Sequence, residues 1–110
     1  MAIEAKVTRH ACDHGLLLLV SAPSHLADKS AVAEFKSLVE KAIAEQPPSW
    51  VLILLHRVRG DYHSSLVNVL DQLSAFAKER GAKLRAYSAS GYLDTEIRHA
   101  KPDLVSDFAV

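Results

Sequence analysis

Two adjacent serines, Ser64 and Ser65, are the side chains of this chain whose type and position best fit a chemical role. They lie where a polar loop, residues 56–63, passes into an apolar repeat typical of an amphipathic helix. The start of a helix presents unpaired N–H groups and a partial positive charge, which together stabilise a nearby phosphate. Phosphorylation there would add about −1.5 to −2 charge to a surface that meets a partner, and one hydroxyl could thereby gate binding. The alternative is that one serine only caps the helix, which contributes about 1 kcal/mol, and capping and phosphorylation can coexist at neighbouring residues.

The loop before these serines carries further ionisable side chains. His63 is a candidate for binding or accepting phosphate, although an exposed loop histidine is the simpler explanation. His56, Arg57 and Arg59 could form a cationic rim for an anion or for an acidic partner, and the alternative is a solvated loop.

Four potential metal ligands lie within five residues near the N-terminus: His10, Cys12, Asp13 and His14. Zinc and copper accept these side-chain types. A turn between strands does not by itself make four side chains converge, and no second cluster in the sequence completes a ligand set. We therefore interpret this segment as a hairpin tip and predict neither a metal nor another cofactor.

Composition and missing motifs exclude several classes of function. Thirteen basic and thirteen acidic side chains cancel, which argues against nucleic acid or an anionic membrane as the main partner. No serine lies in a Gly-x-Ser-x-Gly elbow, and with four glycines the chain has no P-loop or dinucleotide-binding pattern. We therefore expect that the chain is not an enzyme.

Three features favour a cytoplasmic location. Cys12 is the only cysteine, so no internal disulfide can form, which fits a reducing compartment. The first ten residues lack the apolar run of a signal peptide. The longest apolar stretches are about a third of a bilayer-spanning helix.

The unit at residues 49–81 sets the predicted fold and positions the serines. Residues 50–55 form a short apolar run rich in branched and aromatic side chains, which predicts a central strand covered on both faces. Residues 66–77 repeat apolar side chains at spacings of three and four, which predicts a helix beginning at Ser64 or Ser65. Gly81 is expected at its C′ position.

The rest of the chain predicts a single α/β domain, residues 1–110. A first strand at residues 3–8, a turn at 10–15 and a second strand at 16–20 form an antiparallel hairpin. A helix capped by Asp28 or Ser30 runs to about Glu45 and is stopped before two prolines. Short elements follow the central unit: a strand at 82–87, a small helix ended by Pro102 and an edge strand at 108–110. The predicted order is β-β-α-β-α-β-α-β, with helices packed on a mixed β-sheet whose later strands are parallel.

This order and the central unit resemble the STAS domain, the fold of bacterial anti-sigma factor antagonists and of the cytoplasmic tails of sulfate transporters. The resemblance covers nearly the whole chain. Val58, Leu66 and the Val69-Leu70 pair fall at the family's apolar positions without a gap. Residues 78–84 look like the family's exit from the helix into the fourth strand, and residues 103–110 look like its terminal strand.

The family's Asp-Ser-Ser/Thr-Gly-Leu motif is degenerate in this chain. Tyr62 stands where the family has Asp, His63 where it has the phosphorylated Ser, and Ser65 where it has Gly. The segment that is usually Asp-Leu-Ser at the end of the third strand reads Leu54, Leu55, His56.

The resemblance implies a regulatory protein-interaction module of bacterial signalling, whose partner is an anti-sigma factor or a related serine kinase. A second interpretation is an unphosphorylated scaffold subunit of a transporter or signalling assembly. A third is binding of a small anion or nucleotide at the same helix end. The expected partner surface combines the loop with the first turn of the helix: Val58, Arg59, Asp61, Tyr62, His63, Ser64, Leu66 and Val67.

Overall fold

A computed structural model shows an α/β fold in which two helices accompany a four-stranded mixed sheet of order β1-β2-β3-β4. The structure describes residues 5–13, 15–23, 26–55, 58 and 65–87, together with Thr95, Ile97 and His99. Of Cys12 it describes the backbone. The elements are β1 (Lys6–Cys12), β2 (Gly15–Ser21), α1 (Lys29–Glu45), β3 (Trp50–Leu54), α2 (Ser65–Glu79) and β4 (Lys83–Tyr87).

The N-terminal hairpin is antiparallel, as the sequence predicts, but its turn is much tighter than expected. Strand pairing continues to the Cys12–Gly15 pair, so positions 13 and 14 alone connect β1 to β2. The predicted turn at residues 10–15 is therefore wrong. Its polar residues were misleading because β1 is an edge strand with exposed side chains, where polar residues suit a strand as well as a turn.

The connections through α1 and α2 join parallel strands, as predicted: β2 pairs with β3, and β3 pairs with β4. Each step moves one strand further in the same direction across the sheet. Crossovers of this kind are right-handed, and right-handed steps in one direction place their helices on the same side of the sheet. The hydrogen bond from Arg9 Nη2 to the Ala42 carbonyl oxygen, 2.9 Å, ties β1 to α1 on this helix-bearing side.

The burial of β3 follows from that arrangement. Val51 and Ile53 are buried on the helix side, whereas Trp50, Leu52 and Leu54 are half-buried on the other. The apolar run at 50–55 predicted a central strand with both faces covered. Strand β3 is central, between β2 and β4, but its other face is only half-buried. An uninterrupted apolar run shows that both faces avoid water, but it does not show that a helix of the same chain covers each of them.

Local hydrogen bonds define the start of α1 and the end of α2. The Asp28 carboxylate accepts a hydrogen bond from the amide of Ala31, 2.7 Å away, so Asp28 is the N-cap of α1. After α2, Gly81 has φ 79° and its amide donates to the Lys78 carbonyl, while the amide of Ala82 donates to that of Ala77. This is a Schellman motif, and it confirms the predicted C′ role of Gly81.

The core lies between the helices and the helix-bearing side of the sheet. Phe35 from α1, Ile53 from β3 and Leu73 from α2 are fully buried within one continuous apolar cluster. Neither helix, within the part of the chain that the structure describes, is long and apolar enough to cross a bilayer.

The observed elements match the first six of the predicted eight. The predicted third helix falls largely outside the described residues, although Thr95, Ile97 and His99 have helical conformation and Ile97 is buried. The predicted edge strand at 108–110 lies entirely outside them.

Candidate functional site

The candidate site is the start of α2, at the edge of the sheet where the parallel strands end. Hydrogen bonds join these ends: the amide of Ala22 donates to the Leu54 carbonyl at 2.9 Å, and the amide of Leu55 to the Tyr87 carbonyl at 2.7 Å. The helix of a βαβ unit runs antiparallel to its strands, so α2 begins at this same edge. Open α/β sheets generally place their binding sites outside the carboxyl ends of strands.

The chain turns immediately after β3. The amide of Val58 donates to the Leu55 carbonyl at 3.0 Å, and both side chains are fully buried. Helix α2 resumes the described chain at Ser65, followed by the buried Leu66 and Val67. The described residues on either side of positions 59–64 are therefore fixed in the core.

Ser65 is the first residue of α2 and is half-buried. It is already engaged in an interaction of its own. The first turn of α2 carries no acidic side chain. Since a carboxylate there would offset the partial positive charge of the helix end, this end remains suited to a phosphate.

The predicted partner-binding residues divide into two groups. Val58, Leu66 and Val67 are buried in the chain by itself, at 0%, 0% and 6% exposure. Their side chains belong to the core of the chain, and their role in partner binding stays a prediction. The other predicted partner-binding residues lie outside the described part of the chain: Arg59, Asp61, Tyr62, His63 and Ser64. His56 and Arg57 of the predicted cationic rim lie outside it as well.

Part of the segment that carries the potential metal ligands lies in strand β1, which runs to Cys12, and not in a turn. His10 lies in the strand ladder opposite Leu17, and its Nε2 atom is 3.0 Å from the hydroxyl oxygen of Thr8. Among the described residues, no three His, Cys, Asp or Glu side chains lie together in a way that could hold a metal ion. His14 and the side chain of Cys12 lie outside that description.

A second surface, missed by the sequence reasoning, is the side of the sheet opposite α1 and α2. We call it the second face. Strand pairing arranges its side chains in three rows: His10-Leu17-Trp50-Lys83, Thr8-Leu19-Leu52-Arg85 and Lys6-Ser21-Leu54-Tyr87. In the sequence, every second residue of an apolar strand indicates which side chains share a face. Which residues of different strands lie side by side is known only from the register of the strand pairs.

The second face is apolar in the middle and cationic at the sides. The two central strands contribute Leu17, Leu19, Trp50, Leu52 and Leu54, all half-buried. Lys6 lies on one flank, and Lys83 and Arg85 lie on the other. The Lys83 ammonium is 5.3 Å from the centroid of the Trp50 ring, and the Arg85 guanidinium donates to the Leu84 carbonyl at 2.9 Å.

In comparisons with known proteins, no family model matches the chain, and no curated protein matches it significantly.

Proposed function

We propose that this chain is a regulatory protein-interaction module of the kind formed by STAS anti-sigma factor antagonists, gated by phosphorylation at Ser64 or Ser65. Its partner is an anti-sigma factor or a related serine kinase. The observation that carries the proposal is the start of α2 at Ser65, at the carboxyl ends of the parallel strands β3 and β4 and without an acidic residue in the first turn. The resemblance of the sequence to STAS domains supplies the class of partner.

Phosphorylation at Ser64 or Ser65 would control partner binding through the added negative charge. Val58 and Leu66 are fully buried, so a phosphate added at Ser64 or Ser65 would lie next to residues that are fixed in the core. The added charge of about −1.5 to −2 would be stabilised by the helix end and would repel an acidic partner surface. Dephosphorylation would restore binding.

The finer fold is part of the same proposal. A third helix around Thr95, Ile97 and His99 and an edge strand at 108–110 would complete the STAS-like order β-β-α-β-α-β-α-β. The 2% exposure of Ile97 supports the helix. Amide hydrogen exchange at residues 108–110 as slow as in β1 would support the strand, and exchange at the rate of a free peptide would contradict it.

The decisive experiment joins mass spectrometry to quantitative capture. Protein purified from its own host should carry one phosphoryl group on Ser64 or Ser65, and the dephosphorylated protein should retain a kinase-like partner. Asp at either position should reduce that capture at least tenfold, and Ala should leave it intact. Ser37→Asp is the matched control, because Ser37 is an exposed serine on a different helix, α1.

Two results would contradict this proposal. One is release of the partner while the chain carries no phosphate. The other is equal capture by the Asp and Ala variants at both serines, with circular dichroism showing all of them folded.

A second candidate function is the unphosphorylated scaffold subunit, and the half-buried apolar second face favours it. A scaffold needs a permanent contact area, which such a face offers. This function predicts a complex that survives phosphatase and kinase treatment and that is lost when Leu52 is replaced by Gln. Dissociation of the complex by phosphorylation would refute it.

A further inference from the structure

We propose that the second face is a docking surface for an amphipathic α-helix of another protein, with acidic residues flanking the apolar stripe of that helix. This surface is distinct from the start of α2, and the proposal does not depend on the phosphoswitch. It rests on three properties of the described residues: the burial of the face, its dimensions and its charge.

The first property is an uneven covering of the sheet. On the helix-bearing side, Leu18, Val51 and Leu84 are at most 1% exposed. Their neighbours along the same strands on the second face, such as Leu19 and Leu52, are half-buried. Because both crossovers place their helices on one side, neither α1 nor α2 can cover the second face.

The second property is the shape of the apolar area. It is two strands wide and runs the length of β3, and five strand residues span about 17 Å. Three turns of helix extend about 16 Å, with a diameter of about 10 Å including the backbone and near side chains. The apolar stripe of one short helix therefore matches the length and width of the apolar area between the flanking strands.

The third property, charge, selects the partner. Across the described strands β1 to β4 there is no acidic residue, although the chain as a whole is neutral. Lys6, Lys83 and Arg85 project on the flanks of the second face, so they can pair with carboxylates on both sides of a docked helix. A second copy placed face to face would bring these cations together and would be repelled.

A bilayer fits the surface less well than a helix. Its contact would require apolar side chains that protrude beyond the charged ones, whereas Leu19 and Leu52 lie in the middle of the sheet between polar flanks. We therefore commit to a helical protein segment as the occupant.

Trp50 provides a direct reporter, because it is the only tryptophan and lies in the first row of the face. Two synthetic helical peptides serve as probes. They share one apolar stripe of leucines at positions i, i+3, i+4 and i+7, and their flanking positions carry Glu in one peptide and Lys in the other. Titration of the full chain with the Glu peptide should shift Trp50 emission to shorter wavelength and saturate, with affinity at least tenfold higher than for the Lys peptide.

Charge reversal makes the test specific. The double variant Lys83→Glu and Arg85→Glu should weaken binding of the Glu peptide at least tenfold and strengthen binding of the Lys peptide. Lys41→Glu is the matched control, since its side chain is 77% exposed on α1, and it should change either affinity less than twofold. Leu52→Gln should abolish the response to both peptides, with circular dichroism establishing that each variant is folded.

The proposal is overturned if the two peptides titrate equally, or if neither shifts Trp50 emission at millimolar concentration. A shift produced by anionic phospholipid vesicles but not by the Glu peptide would assign the face to a membrane instead. A concentration-dependent dimer that Leu52→Gln dissociates would assign it to a second copy. None of these results tests phosphorylation at Ser64 or Ser65, so a failure of this proposal would leave the proposed function untouched.

Discussion

The Lys83 ammonium lies over the ring of Trp50, 5.3 Å from its centroid, across the parallel pairing of β3 and β4. The two residues are direct partners in the register, so the contact depends on the correct alignment of the strands. It also places a cation beside the only tryptophan, on the side of the sheet that neither α1 nor α2 covers.

Replacement of Lys83 by Met should lower the free energy of unfolding by about 0.5–1 kcal/mol, the usual contribution of a cation–π pair at a partly exposed site. Urea unfolding followed by circular dichroism measures the change. In a Trp50→Leu background the same replacement should have little effect, because the ring that attracts the ammonium is gone. An equal loss in both backgrounds would mean that the ring does not contribute.

Replacement of Gly81 by Ala should destabilise the chain by roughly 1–2 kcal/mol, because an L-residue with a side chain is strained at φ 79°. A Cβ atom at this position would have no neighbour within 4 Å, so the loss would come from the backbone alone. Gly81→Asn should lose less, since Asn tolerates this conformation better. Thermal unfolding compares the two, with Gln72→Ala, an exposed position on α2, as the control.

Replacement of Asp28 by Ala should cost about 1 kcal/mol, because the amide of Ala31 loses the carboxylate that accepts its hydrogen bond. Asp28→Asn should retain most of the stability, since the amide oxygen can accept the same bond. Denaturant unfolding should rank the proteins as wild type, Asn and then Ala. Equal stability of all three would show that the cap does not contribute.

Replacement of Phe35 by Ala should cost about 3–5 kcal/mol, the range for removing a large buried aromatic side chain. Phe35 is 0% exposed, whereas Phe76 is only partly buried and packs beneath the Arg80 guanidinium, 3.6 Å from its ring centroid. Phe76→Ala should therefore cost less than half as much. Chemical denaturation of the two variants tests this ranking, and a reversed order would contradict the described core.

Replacement of Gly15 by Ala should cost more than about 1 kcal/mol, because its φ is +116° and strains any residue with a Cβ. The new Cβ would also overlap Oγ of Ser49, whose amide is bonded to the Leu16 carbonyl. In a Ser49→Gly background the loss should be smaller, because the steric part disappears. If the loss is the same in that background, the strain of the backbone alone accounts for it.

Prediction from sequence succeeded where the signal is local. The cap at Asp28, the Schellman glycine at Gly81 and the helical repeat of α2 each depend on a few consecutive residues. Proline at positions 47 and 48 stops α1, as expected from its effect on the preceding residue. The parallel connections follow too, because a helix between two strands leaves few other routes.

Prediction failed where the signal depends on the neighbours of a strand. His10 was predicted to lie in a turn, but it pairs with Leu17 in the β1–β2 ladder. A polar residue is compatible with this position because β1 is at the edge of the sheet. The loop with Arg59 and His63 was predicted to be the binding surface, and this stays a prediction because most of its residues lie outside the described part of the chain. The second face was not predicted, because its rows combine residues from four separate segments.

The sequence by itself determined the α/β class, the helix ends and the place of Ser65 at the start of α2, because caps, breakers and apolar periods act over a few residues. The tertiary structure alone decided which side of each apolar strand is covered. Both crossovers step across the sheet in the same direction, so their helices share one side and bury Val51 there, while Trp50 and Leu52 remain half-buried on the other. Consecutive apolar residues are chemically alike, and only the handedness of the connections distinguishes their two faces.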